Sequence, residues 1–176
     1  MHRLKAGLCA LACALTFFAA QADAQTRHRQ KGWRRIVPLH STRREVQRRL
    51  GKARRGNASY SLYEFEGEED ARIYYSDGKR CTEGAEWKVP RGTVLRIFVQ
   101  PRREPALHLT DLGLDMRRFR KEAGSGDVQA RTRYTDDAAG VTYEVFEQGG
   151  PESGQVMGIE YGPSSRDKCL RCPKAH

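Results

Sequence analysis

The sequence predicts an α+β domain in which tandem αβββ repeats form one antiparallel sheet, with helices packed on one of its faces. Two stretches carry helix signals, and each is followed by three segments with strand character. The repeats also end alike, because residues 92–97 read Gly-Thr-Val-Leu-Arg-Ile and residues 154–159 read Gly-Gln-Val-Met-Gly-Ile. One helix and three short strands cannot bury an apolar face alone, so we expect the two repeats to shield each other.

The first predicted helix begins after Thr42 and ends before Gly51. Thr42 and Glu45 have the spacing of a capping box, in which each side chain satisfies a free N–H of the first turn. Val46 and Leu50 lie four residues apart on one face, and Gly51 suits the left-handed end of a helix. The arginines of this segment are therefore expected to point to solvent.

Three strands are predicted to follow, over residues 60–65, 71–75 and 93–99. An insertion that carries Cys81 and Trp87 separates the second of these strands from the third. Side chains alternate between the faces of a strand, so the third strand presents two different surfaces. One surface carries Leu95, Ile97 and Val99, and the other carries Val94, Arg96 and Phe98.

The second repeat is predicted to open with a helix from Asp115 to Gly124. Asp115 can cap its first turn, Met116, Phe119 and Ala123 have the spacing of a core-facing side, and Gly124 can end it. Strands are then expected in three segments separated by Asp136-Asp137 and by Gly149-Gly150-Pro151. These segments are 130–134, 141–146 and 155–161.

The N-terminal residues 1–24 have the pattern of an export signal. Arg3 and Lys5 precede an apolar stretch over residues 6–20, and Ala22-Asp23-Ala24 offers a cleavage site before Gln25. No second apolar run follows, so no transmembrane segment is expected. Cys13 lies in a poor lipidation site, because an Ala stands three residues before it. The expected location is therefore the periplasm or the extracellular space.

The rest of the chain is expected to form a basic arm and one domain. Residues 25–35 are predicted to be a disordered arm, and residues 36–176 a single domain. That domain contains the repeats, 36–101 and 107–163, and ends in a tail with two cysteines.

Three cysteines remain beyond the signal: Cys81, Cys169 and Cys172. In an oxidising compartment they indicate a disulfide, and a bridge from Cys81 to either tail cysteine would close a loop of about ninety residues. The alternative is a redox or metal motif at residues 169–172. Pro163 and Pro173 leave little room for the helix that a redox motif needs, and a zinc site lacks ligands.

Positive charge is concentrated between residues 25 and 56, which contain twelve Lys or Arg and one acid. Such a cluster attracts anions in a salt-dependent way, although many charge runs are only solvated surface. Anionic lipid or glycan is the better candidate, because an exported protein rarely meets nucleic acid. The candidate anion-binding residues are Arg43, Arg44, Arg48 and Arg49.

The sheet face away from the helices is a candidate protein-binding surface. Its expected residues include Tyr74, Arg96 and Phe98, and exposed aromatics are typical of recognition surfaces. The alternative is that loops and the Trp87 insertion cover this face. The leading hypothesis is a non-catalytic module that binds another envelope or secreted protein.

No enzyme motif is present, and neither a cofactor nor a metal is predicted. The sequence has no Gly-x-Ser-x-Gly elbow, phosphate-binding loop or dinucleotide fingerprint. The carboxylates of residues 64–70 lack the spacing of a calcium loop and are expected at a solvated hairpin tip. His40 is expected to have a packing or hydrogen-bonding role. A hydrolase site assembled from distant residues is the third hypothesis.

The segment Ser41-Thr42-x-x-Glu45-Val46-x-x-x-Leu50-Gly51, with a Tyr-containing hairpin and a Val-x-x-Ile strand, resembles the SmpA/OmlA (BamE-like) repeat. A tandem of such units resembles the architecture of the beta-lactamase inhibitor protein. The resemblance covers residues 36–163 and implies the fold and non-catalytic binding. Gly51-Lys52-Ala53 departs from the family's usual Gly-x-Pro, so membership of the outer-membrane assembly machinery does not follow. Trp87-Lys88-Val89-Pro90 and Leu170-Arg171-Cys172 also resemble segments of uncharacterised secreted bacterial proteins.

Overall fold

A computed structural model describes residues 32–123, 131–147, 149 and 153–173 of the chain. The predicted signal peptide and residues 25–31 of the predicted arm lie outside this part. Residues 32–35, assigned to the arm above, belong to the described domain. Trp33 is only 5% exposed, and its indole Nε1 donates a hydrogen bond to Glu69 Oε1 at 3.1 Å. No helix in the described residues is long and apolar enough to cross a bilayer.

In the part of the chain that the structure describes, eight antiparallel strands form a single sheet. The strands are β1 (Arg55–Gly56), β2 (Tyr60–Phe65), β3 (Glu69–Tyr75), β4 (Val94–Pro101), β5 (Arg120–Ala123), β6 (Arg131–Asp136), β7 (Val141–Phe146) and β8 (Gln155–Tyr161). Their spatial order is β1-β2-β3-β4-β8-β7-β6-β5. Strands β1 to β4 therefore make one meander, strands β5 to β8 make a second, and the two meet where β4 pairs with β8.

The one α-helix of the described residues is α1 (Arg43–Leu50), as its sequence signals predicted. The capping box is present, because the Thr42 side chain accepts from Glu45 N–H and the Glu45 carboxylate accepts from Thr42 N–H at 2.7 Å. Val46 is fully buried and fixes which side of the helix meets the sheet. The helix is therefore amphipathic, with its arginines directed outward or sideways.

The structure corrects the predicted α+β class with tandem αβββ repeats, because the domain is mainly β. The helix expected between residues 115 and 124 does not form. Met116–Arg118 make one 3-10 turn, and Arg120–Ala123 run on as β5, paired with β6. In the residues that the structure describes, the second meander therefore has no α-helix, and only α1 packs on the sheet as an α-helix.

Tertiary contacts explain why this stretch leaves the helical conformation. Phe119 turns toward the core, where its ring centroid lies 5.8 Å from that of Tyr143. Lys121 then reaches Glu147, with 2.9 Å between Nζ and Oε2. A helix of fewer than ten residues gains little from its own hydrogen bonds, so pairing with β6 decides the conformation.

The hydrophobic core lies on one side of the sheet, which we call the core face. Helix α1, the segment 33–39 and the loop 102–119 all contribute residues to this core. Its apolar side chains come from both meanders, so neither meander buries a separate core. The largest fully buried side chains are Ile36, Val46, Ile73, Val94, Ile97, Val99 and Val145.

A disulfide between Cys81 and Cys172 ties the insertion after β3 to the C-terminal tail. The prediction of a bridge from Cys81 to the tail is confirmed, and Cys169 is left as a free, exposed thiol. Backbone hydrogen bonds continue the connection, since Cys172 N–H donates to Glu86 O at 2.8 Å. The insertion is thus held to the tail both by the disulfide and by backbone hydrogen bonds.

The tail is also anchored to the chain before α1 through Asp167. His40 Nε2 lies 2.8 Å from Asp167 Oδ1, and Ser164 Oγ donates to Asp167 Oδ2 at 2.8 Å. Burial alone would raise the pKa of Asp167, but the contacts with His40 and Ser164 outweigh it and lower that pKa. Asp167 is therefore ionised in the folded protein at neutral pH, and His40 has the hydrogen-bonding role predicted for it.

Candidate functional site

The second side of the sheet, which we call the open face, brings three of the predicted binding residues together. Tyr74 of β3 lies directly opposite Arg96 of β4, and Phe98 follows two residues later on the same face. On its other side Phe98 lies opposite Glu160 of β8. Strand alternation places these side chains away from the core. The open face therefore combines aromatic and charged groups across the seam of the two meanders.

Arg96 and Arg133 share one carboxylate on this face, that of Glu160. The Arg96 guanidinium lies 4.8 Å from the Tyr74 ring centroid and 3.7 Å from Glu160 Oε1. Arg133 Nη2 lies 3.5 Å from Glu160 Oε2, and Arg133 Nε lies 3.8 Å from Glu144 Oε1. These separations are near the upper limit for ion pairs, so the charged groups can still form ion pairs or hydrogen bonds with a bound partner.

Phe98 is positioned by a glycine of the neighbouring strand. A Cβ atom at Gly158 would lie 2.7 Å from the Phe98 ring, so the ring packs directly against the glycine backbone. Any larger residue at position 158 would displace Phe98 from this place. The half-buried ring is thereby fixed beside Glu160.

A cleft of about 500 Å³ opens at the end of the open face, where the disulfide-bonded insertion meets the sheet. Tyr74, Arg96 and Glu160 contribute from the sheet, and Trp87 contributes from the insertion. The insertion therefore does not simply cover the face, but forms one wall of a cleft. The lining is completed by Ser59, Tyr75, Ser76, Asp77, Ala85, Glu86, Leu95 and Pro163.

The predicted helix arginines lie on the other side of the sheet and divide into two groups. Arg43 Nη2 donates to Asn57 O at 2.7 Å and Ala58 O at 2.8 Å, while its guanidinium lies 4.1 Å from the Tyr75 ring centroid. Arg43 is thus engaged in holding the helix to the chain. In contrast, Arg44, Arg48 and Arg49 are exposed.

Four carboxylates of residues 64–70, those of Glu64, Glu68, Glu69 and Asp70, form ion pairs with arginines. Arg34 bonds both Glu68 and Glu69, at 2.8 and 2.9 Å. Arg54 pairs with Glu64 and Arg102 with Asp70 beside a second cleft of about 510 Å³. In the part of the chain that the structure describes, no cluster of His, Cys, Asp and Glu has an arrangement that could hold a metal ion.

Of the residues that line the cleft, the sequence had indicated only Tyr74 and Arg96 as binding residues, and it missed the others, among them Glu160 and Trp87. Glu160 was assigned to a strand, but its partner strand could not be read from the sequence. Trp87 was named only in the alternative that loops and its insertion cover the face. The position of Cys81 six residues before Trp87 was the available signal, because a bridge to the tail also fixes the residues next to it.

Comparison with known proteins gives only a distant likeness. No family model matches the chain, and no curated protein matches it. Among solved structures, a DUF4309 family protein (YjgB) from Bacillus subtilis is similar at 12% sequence identity and a TM-score of 0.45, over 72% of this chain and 82% of that one. Similarity at this level supports no argument about function, and the resemblance to SmpA/OmlA proteins stays a prediction.

Proposed function

We propose that this protein is a non-catalytic binding module that engages another protein through the cleft and the adjoining open face. The observation that carries this proposal is the convergence of Tyr74, Trp87, Arg96 and Glu160 on one cleft. Tyr, Trp and Arg are the side chains most enriched among the residues that dominate binding energy at protein interfaces. An aromatic wall with charged groups beside it supplies both apolar contact area and hydrogen-bonding specificity.

The way the cleft is held supports binding without a large rearrangement. Its floor consists of adjacent strands of the sheet, and its wall is fastened by the Cys81–Cys172 disulfide. Trp87 forms a β-bridge with Arg171 of the tail. A surface that is already ordered loses little conformational entropy on binding, so more of the contact energy appears as affinity.

The chemistry of the described lining residues favours binding over catalysis. This lining contains no histidine or cysteine, so no pair of nucleophile and imidazole base is formed there. The Ser76 hydroxyl accepts a hydrogen bond from Gly78 N–H at 3.0 Å and donates one to Val89 O at 3.4 Å. Its role is therefore to hold the loop after β3.

Changing Tyr74 to Asp is expected to weaken capture of the partner at least about 30-fold, the loss typical of a dominant interface residue. The substitution removes the aromatic surface under Arg96 and adds a negative charge to a cleft that Glu160 also lines. A photoreactive residue placed at position 74 in the producing cells would first crosslink the partner. Affinity for that isolated protein would then be measured for both variants, at low and at high salt.

Met116→Asp is the matched control, because Met116 is 39% exposed and lies outside the cleft lining. It adds the same charge, and we expect it to leave the affinity unchanged. Thermal unfolding would show that Tyr74→Asp remains folded. Equal affinity of Tyr74→Asp and the unchanged protein, or equal losses in both variants, would overturn the proposal.

We also propose that the protein is exported and acts in the periplasm or outside the cell. The disulfide supports this location, since such bonds persist mainly in oxidising compartments. Cell fractionation with N-terminal sequencing is expected to recover an exported form that begins at Gln25. Recovery of an uncleaved chain with reduced cysteines from the cytoplasm would contradict it.

A further inference from the structure

Exposed positive charges lie close together on the outer surface of α1. Several arginines elsewhere, including Arg34, Arg96 and Arg118, form ion pairs with carboxylates. In the described residues no carboxylate forms an ion pair with the group that we call the basic helix surface. This group consists of Arg44, Arg48, Arg49 and Lys52, all of them exposed.

The single acid of the helix does not neutralise this surface. Glu45 directs its carboxylate to Thr42, accepting from the Thr42 N–H at 2.7 Å and from its hydroxyl at 3.0 Å. Hydrogen bonds from Thr42 lower the pKa of Glu45, and the charges of Arg48 and Arg49 contribute further at longer range. The acid is therefore committed to capping the helix.

The shape of the basic helix surface fits a flat anionic partner better than a single polymer chain. Arg44 and Arg48 are four residues apart and project away from the buried Val46. Residues 43–52 contain no aromatic side chain on which a sugar ring could stack. Guanidinium groups on a convex helix suit a layer of phosphates, each of which accepts two parallel hydrogen bonds.

We propose that the basic helix surface docks the protein on a bilayer containing anionic phospholipids. The attachment is electrostatic and peripheral, because the outer side of α1 has no exposed large apolar side chain to insert. Arg43 takes no part, since its guanidinium is occupied by Asn57 O, Ala58 O and the Tyr75 ring.

Docking in this way gives the open face a defined direction. Val46 places α1 on the core face, whereas Tyr74, Arg96 and Phe98 lie on the opposite side of the sheet. A protein held by α1 therefore presents the cleft away from the lipid. The use of this orientation rests on the proposed function, because it presents the cleft to a protein partner. The lipid attachment itself does not require such a partner.

Co-sedimentation of the purified protein with vesicles tests the proposal. Binding is expected to vesicles that contain phosphatidylglycerol and to be absent from pure phosphatidylcholine. Each basic residue near an anionic bilayer strengthens binding about fivefold, so Arg44→Ser, Arg48→Ser and Arg49→Ser together should weaken binding on the order of 100-fold. Binding should also disappear near 1 M salt, where the screening length is about 3 Å.

The matched control carries Arg55→Ser, Lys88→Ser and Arg103→Ser, three exposed cations outside α1. It removes the same net charge, and we expect it to retain most of the vesicle binding. Equal losses in both triple variants would show attraction by net charge alone and overturn the proposal. So would binding to a soluble sulfated polysaccharide in the absence of vesicle binding. Loss of vesicle binding with partner capture intact would leave the proposed function standing.

Discussion

Replacing both Cys81 and Cys172 with serine is expected to lower the free energy of unfolding by about 4–5 kcal/mol. The two cysteines are 91 residues apart, and cross-linking so long a loop removes much of the conformational entropy of the unfolded chain. Denaturant unfolding of the variant and the unchanged protein without reductant measures the difference. The cleft should be lost as well, because Trp87 depends on the same bridge for its position.

Cys169→Ser is the control for this experiment, since Cys169 is exposed and unpaired in the structure. Its effect on the free energy of unfolding should stay within about 0.5 kcal/mol, as for most surface substitutions. A loss in Cys169→Ser as large as in the double variant would mean that Cys81 pairs with Cys169 instead. An unchanged double variant would mean that the bridge does not form.

Replacing Ile97 with alanine is expected to cost about 2–5 kcal/mol of stability, the range for truncating a large aliphatic core residue. Ile97 is fully buried and lies opposite Tyr161 at the seam of the two meanders. Both meanders contribute to the same core, so the variant should still unfold in one cooperative transition at a lower denaturant concentration. Circular dichroism and tryptophan fluorescence should therefore report the same midpoint.

Leu62→Ala provides a comparison that removes a similar volume. Leu62 is half-buried on the open face and is absent from the core cluster, so its loss should be clearly smaller. Two separate transitions in Ile97→Ala would contradict a shared core. Equal losses in the two variants would mean that both faces of the sheet are covered alike.

Local signals in the sequence located α1 and most strands correctly. The capping box at Thr42 and Glu45 is self-contained, and strands 60–65, 141–146 and 155–161 have the bounds that alternation predicted. These features depend on residues close together in the chain, which is why a single sequence reveals them.

The error at residues 115–124 came from contacts that are distant in sequence. Asp115 does cap a turn there, with its carboxylate accepting from Arg117 N–H at 3.3 Å, and Met116 and Phe119 have helical spacing. Pairing of β5 with β6 outweighs these local preferences. The apolar pattern alone could not distinguish one helical turn followed by an edge strand from a short helix.

Part of the candidate site could be predicted, because it depends on the alternation of side chains along a strand. Alternation along β4 placed Arg96 and Phe98 on one face, and Tyr74, predicted for the same face, lies opposite Arg96. Glu160 joins them only because β4 pairs with β8, which brings residues 62 positions apart in the chain together. The pairing of β4 with β8 therefore placed Glu160 in the site, which the residue pattern could not predict.

The disulfide also determines how the domain responds to mechanical force. A pull applied to the chain on either side of Cys81 and Cys172 passes directly through the covalent bond between them. Strands β4 to β8 lie inside the closed loop and carry no load, whereas β1 to β3 lie outside it. Under tension the first three strands would peel away one after another, while the remaining strands would lose only their neighbour β3.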